Sequence, residues 1–168
     1  MKLFQKTKKQ GSTIVFSSGV TLAVVVLMLF AFMYVRAGGL IPKRVPVRMG
    51  AAIVQAEVVK TDAAQRKGLG GRSKLPAEDG MLFVFNELDR HSFWMKDMQF
   101  PIDIFWIQGD RIVDIRYSVP PPADENTPLT VYYPQEAANF VLETNAGFAE
   151  KESIQIGDTI EFLYPVEK

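Results

Sequence analysis

The chain has 168 residues, 48% of them apolar and 23% charged, with a formal net charge of zero; that is enough for about one domain and too apolar for general disorder. The zero is a cancellation, because residues 1–48 carry eight Lys or Arg and no acid while residues 49–168 carry eleven bases and nineteen acids. An acidic body lacks the basic face that neutralises phosphates, so no nucleic-acid partner is expected. The absence of cysteine excludes disulfide frameworks, thiolate metal sites and cysteine nucleophiles.

Residues 10–35 contain no charged side chain. A helix over 12–35 would rise about 36 Å against a hydrocarbon core of about 30 Å, and its second half, 22–34, is apolar on every side, as lipid requires. The expected organisation is a basic cytoplasmic tail at 1–11, a transmembrane anchor at 12–36, a tether at 37–50 and a β-rich domain at 51–168. A cleaved signal peptide competes with the anchor, since Val35-Arg36-Ala37 loosely resembles a cleavage site. The apolar stretch is longer than the roughly 7 to 15 residues of a secretory core, which favours the anchor. Lys2, Lys6, Lys8 and Lys9 precede the span, and Arg36, Lys43, Arg44 and Arg48 follow it. The acid-free leading tail places the N-terminus in the cytoplasm and the domain on the extracytoplasmic side of the cytoplasmic membrane. Residues 37–50, with three glycines, Pro42 and Pro46, read as a short stiff tether.

Short apolar or alternating runs recur at 53–59, 81–85, 92–95, 102–107, 112–117, 129–133, 140–143 and 159–164. This spacing predicts a mainly β domain, a compact sandwich or barrel with one or two short helices. Gln108-Gly109-Asp110 between two runs reads as a hairpin turn. One helix is expected with Asp62 as N-cap, Gln65 three residues on and Gly68 as its stop, and a second around 146–152. The segment 119–128 holds four prolines and no apolar period, so it is expected to be a long surface loop.

Several motifs follow in order: Gly68-Leu69-Gly70-Gly71-Arg72, Leu75-Pro76, Gly80-Met81-Leu82-Phe83-Val84-Phe85, His91-Ser92-Phe93-Trp94-Met95-Lys96, Pro101-Ile102-Asp103-Ile104, Val141-Leu142-Glu143, Asn145-Ala146-Gly147 and Gly157-Asp158. Together they resemble domain of unknown function 192, an uncharacterised ancient conserved region, over residues 53–163. The resemblance implies a compact, jelly-roll-like β domain carried behind a signal or anchor, and it implies no reaction, ligand or catalytic residue. The chain departs from that pattern at Gly70, where a larger residue is usual, and at Asp97, where asparagine is common.

Strand alternation puts Asp103 on one face with Phe105 and Ile107, and Glu143 on one face with Val141. A carboxylate on an apolar face needs a partner, and Arg72 is the candidate for Asp103 because its guanidinium can hold both oxygens. His91 is the lone histidine and has no second imidazole or thiolate for a metal. Trp94 and Lys96 share a strand face and could border a pocket. The glycine-rich run at 68–71 lacks the spacing and lysine of a phosphate loop and follows a helix, so it reads as a helix stop and tight turn. The candidate ligand-binding residues are therefore Arg72, His91, Trp94, Lys96, Asp103 and Glu143, with no metal and no cofactor. The expected partners are the bilayer, through 12–36, and a small-molecule or cell-envelope ligand. A carboxylate-dependent hydrolase of envelope glycan or peptide, using Asp103 and Glu143, is the alternative, and a scaffold for another membrane protein is the third reading.

Overall fold

The computed structural model describes residues 25–28, 44–124 and 126–166. The chain divides into two compact units, Met1–Ile41 and Pro42–Lys168. In the first, residues 25–28 are helical and exposed. The remainder of the expected span lies outside the described residues, among which no helix is long and apolar enough to cross a membrane.

The second unit is mainly β. Its elements in chain order are β1 (Arg44–Met49), β2 (Ala52–Val59), α1 (Asp62–Lys67), β3 (Asp79–Asp89), β4 (Phe93–Trp94), β5 (Ile102–Gln108), β6 (Arg111–Val119), β7 (Val131–Tyr132), β8 (Ala138–Asn145), α2 (Phe148–Lys151) and β9 (Ile160–Phe162). Seven strands form one sheet in the order β6-β5-β8-β3-β2-β1-β9, and β4 and β7 pair as a separate ribbon. The two ends of the sheet approach each other, because Arg111 bridges to Thr159 and the amides of Ile112 and Ile160 donate to the carbonyls of Asp158 and Asp110 at 2.9 and 2.7 Å. The sheet is thus curled into a half-barrel. Two packed sheets, as in the expected sandwich, are not what forms.

The first strand corrects the expected domain boundary. Residues 44–49, read as part of the tether, form β1, in which Val45, Val47 and Met49 are buried and Arg44 and Arg48 exposed. The prolines and bases conceal this alternation. Pro46 lies one residue beyond Val47 to Met49, which pair with β9; its carbonyl still accepts from the Leu163 amide at 3.0 Å, and its missing N–H falls at the end of that ladder.

The connection between β2 and β3 decides the architecture. These neighbours are parallel, so the chain must cross over a sheet face between them. Thr61 caps α1 by accepting from the Ala64 amide at 3.3 Å, one residue before the expected cap, Asp62. Gly68 ends the helix at a φ of 49° and donates to Ala64 at 2.9 Å. Arg72 then anchors the crossover to β2 through an ion pair with Glu57 at 2.9 Å. Leu69, Leu75, Met95 and Met98 cover the outer face, packing on Met81, Phe83, Ile104, Trp106 and Val141. The inner face holds a second core that includes Val47, Leu82, Phe105, Ile107, Phe140 and Leu142. Strands buried on both faces carry continuous apolar runs, here Met81 to Phe85 in β3, Ile104 to Ile107 in β5 and Phe140 to Leu142 in β8.

Asp103 fastens the inner side. It is fully buried, and its carboxylate accepts from the amides of Ser118 at 2.7 Å, Ala149 at 2.8 Å and Gly147 at 3.3 Å. One side chain thereby joins β5, the end of β6 and the start of α2. The expected Arg72–Asp103 pair does not form, because Arg72 belongs to the crossover on the outer face. Asp103→Asn, which keeps the shape but loses charge and one acceptor oxygen, is expected to cost about 3 kcal/mol in urea unfolding. Combined with Arg72→Met, the two effects should add to within about 0.5 kcal/mol. A coupling well above that value would show that the two residues do interact.

Candidate functional site

Glu143 stands near the middle of the sheet. On β8 it lies directly opposite Met81 of β3 and Ile104 of β5, and with Val141 it faces outward beneath the crossover. It is 5% exposed, and its Oε2 atom has no hydrogen-bond partner. Burial among apolar side chains pushes its carboxyl up to about 8, against an opposing pull from the Arg72 charge. An ionised group here would be stranded, so the side chain keeps its proton at neutral pH.

Above Glu143 lies an open cavity of about 310 Å³. One wall is α1 and the glycine-rich turn, with Asp62, Gln65, Arg66 and Lys67; the other is the β4 segment, with His91, Ser92, Phe93, Trp94 and Lys96. Phe93 holds the second wall in place by edge contacts to Phe83 at 4.8 Å and Trp106 at 5.9 Å. The His91 ring stacks on Phe85 at 3.6 Å and 11°, and its Nε2 donates to the Glu87 carbonyl at 3.1 Å. The indole N–H of Trp106 donates to the His91 carbonyl at 2.8 Å. Trp94 remains 50% exposed beside the opening.

The tight turn explains both departures noted in the sequence. A Cβ on Gly70 would sit 2.9 Å from the Lys67 carbonyl oxygen and 3.3 Å from that of Lys96, so this backbone has no room for a larger residue. Asp97 adopts a φ of 58°, a left-handed conformation that Asn and Asp tolerate better than most residues. Its carbonyl receives the Gly71 amide at 2.8 Å, which ties the turn to the β4 wall.

Four of the six candidates from the sequence, His91, Trp94, Lys96 and Glu143, therefore meet at one cavity. Arg72 pairs with Glu57 and reaches Glu143 through its charge. Asp103 belongs to the other face: it is opposite Thr144, while its neighbour Ile104 is opposite Glu143. The two carboxylates proposed to share acid and base work cannot act on one bond. Gln65, Arg66, Phe85 and Met98 were not anticipated. Asp62, Gln65 and Arg66 recur at the spacing of one helix face, which was the available signal for that wall. Among the described residues no cluster of three or more His, Cys, Asp or Glu could hold a metal.

The sequence pattern of the DUF192 family, described as an uncharacterised ancient conserved region, matches residues 45–162. The chain belongs to this family. None of the curated proteins matches it. The DUF192 domain resembles a protein of unknown function from Novosphingobium aromaticivorans, with 30% identity, a TM-score of 0.61 and coverage of 71% of this chain and 84% of that one. It also resembles a candidate transcription regulator from Sinorhizobium meliloti, with 26% identity, a TM-score of 0.65 and coverage of 71% and 94%. The family match begins at Val45, inside β1, in keeping with that strand being part of the DUF192 fold.

Glu143 makes stability depend on pH. It gives up its proton near 4.5 when unfolded and at about 8 when folded. Between these values the folded state binds the extra proton, so the contribution is complete below 4.5 and is lost as pH rises towards 8. The loss amounts to at most about 1.4 kcal/mol per pH unit. Glu143→Gln, which cannot ionise, is expected to match the wild type in urea near pH 4.5 and to exceed it at pH 8. Parallel stability curves would mean that the carboxyl ionises freely.

Proposed function

We propose that the DUF192 domain is a small-molecule-binding module whose ligand occupies the cavity over Glu143, and that residues 12–36 hold it on the outer face of the cytoplasmic membrane. The buried Oε2 of Glu143, without a hydrogen-bond partner at the base of an open cavity, carries this reading. Burying a polar atom unpaired is costly, and a ligand hydroxyl or carbonyl would recover that cost on binding. The cavity is at the small end of the roughly 300 to 1,000 Å³ of ligand pockets and sets the aromatic side chains of Phe83, Phe85, Phe93 and Trp94 beside polar and charged ones.

Binding is favoured over hydrolysis because Glu143 and Asp103 lie on opposite faces. His91 is hydrogen-bonded to a carbonyl, and no hydroxyl bonds to it among the described residues. The description of the Sinorhizobium meliloti relative as a candidate transcription regulator does not transfer readily, since residues 49–168 hold nineteen acids against eleven bases and DNA binding rests on phosphate neutralisation. The membrane placement is supported by the uncharged stretch 10–35 and the acid-free residues before it.

A thermal-shift screen of the full chain against small ring compounds tests the cavity. A ligand at 100 times its Kd adds about 2.7 kcal/mol to native stability. Trp94→Ala should weaken that shift while leaving the melting temperature of the free protein nearly unchanged, because its side chain is half exposed. A shift that survives Trp94→Ala and Glu143→Gln would place the ligand elsewhere. For the topology, protease added to osmotically opened cells with an intact inner membrane should cleave the domain from its anchor, and complete protection would reverse the orientation.

A further inference from the structure

Resting on the reading of this cavity as a ligand site, we propose that its ligand is a small cyclic organic anion. Its single ring lies against Trp94, a hydroxyl or carbonyl meets Glu143, and a carboxylate or phosphate sits at the mouth among Arg66, Lys67 and Lys96.

The charges around the cavity are uneven. Arg66, Lys67 and Lys96 all line it and are exposed, and none has an ion-pair partner among the described residues. Four of the six other arginines in the domain are paired, Arg44 with Asp79, Arg48 with Glu161, Arg72 with Glu57 and Arg116 with Asp114, while Arg90 donates to the Pro134 carbonyl and Arg111 has no ion pair among the described residues. Against the three cations the rim carries one carboxylate, Asp62. In a domain with a surplus of acid, unpaired bases gathered at one opening attract an anion and orient it.

The base of the cavity disfavours the opposite class. Asp62 is the one carboxylate at the rim, outnumbered by the three cations, and burial between Met81 and Ile104 disfavours the charged form of Glu143, so the base offers a cationic ligand no ready counter-charge. A neutral carboxyl donates to a hydroxyl or carbonyl oxygen without repelling an anion held nearby. The aromatic walls supply the ring preference: Trp94 presents half of its surface, and the stacked Phe85–His91 pair borders the same space. A volume of about 310 Å³ suits one ring rather than a dinucleotide or a polymer segment.

The test uses the full chain in neutral detergent and two probe series that share a ring and differ in charge. One is glucuronate, glucose and glucosamine; the other is benzoate, benzyl alcohol and benzylamine. Calorimetric titration at about pH 7 and low salt should show the anionic member of at least one series binding about ten-fold tighter than its neutral counterpart. Added salt should erode that preference. Arg66→Glu with Lys96→Glu should abolish it, while Lys151→Glu, a single charge reversal away from the cavity, should leave it intact. Equal or tighter binding of the neutral or cationic member overturns the anion assignment, as does an anion preference that survives the charge reversal. Failure of both series, with a different compound giving a thermal shift that Trp94→Ala removes, overturns the ligand class and leaves the cavity reading standing. Anion binding unchanged by both Trp94→Ala and Glu143→Gln overturns the cavity reading as well.

Discussion

The parallel pairing of β2 with β3 is the constraint from which the remaining architecture follows. An antiparallel neighbour could have been reached by a tight turn, but a parallel one obliges residues 60–78 to travel back across the sheet. The crossover brings α1, the glycine-rich turn and Leu69 onto a face that a simple antiparallel domain would leave to solvent. The sheet then has two cores, one inside the curl and one beneath the crossover. Glu143, which a solvated face would accommodate without cost, becomes a buried acid.

That burial is a local conflict inside an otherwise consistent domain. Other deeply buried acids have partners: Asp103 accepts three backbone amides, and Asp114 accepts from Arg116 at 2.7 Å and from the amides of Ile115 and Gln135. These two carboxylates are structural, and each ties a loop to the edge half of the sheet. Glu143 differs because one of its oxygens faces no donor or acceptor. Native structures rarely leave such groups without a partner, and this exception is the basis of the proposed site.

The sequence disclosed these features unequally. Eight of the nine strands, the hairpin at Gly109-Asp110 and both helices follow from alternation, turn residues and helix stops. The strand at Arg44–Met49 was hidden because two prolines and several bases suggested a tether, although Val45, Val47 and Met49 carry the period of two. At β4 and β7 only two residues each pair, so longer runs were read there than form. Of the two expected forms, sandwich or barrel, the curled single sheet is nearer the barrel, and the strand patterns could not choose between them because they do not state which strands are neighbours. Partnering was the hardest to read. Alternation correctly set Asp103 beside Phe105 and Glu143 beside Val141, but it is silent on which face of the sheet lies over which segment. Arg72 was therefore assigned to the wrong acid.

The cavity walls are fixed before any ligand arrives. The Gly71 amide bonds to Asp97 across the two walls, the Trp106 indole bonds to the His91 carbonyl, and Phe93 is wedged edge-on between Phe83 and Trp106. The β4–β7 ribbon, with Trp94 opposite Val131, braces the outer wall from behind. Walls held in this way lose little conformational freedom on binding, so more of the contact energy appears as affinity. The long side chains at the mouth, Arg66, Lys67 and Lys96, are the contrasting part: exposed and without an ion-pair partner among the described residues, they would have to be ordered by the proposed ligand. In the proposed complex, aromatic walls held by packing would fix the ring more tightly than the exposed rim would fix its charged substituent. On that reading the site would select for ring size and sign of charge more sharply than for the identity of the acid group.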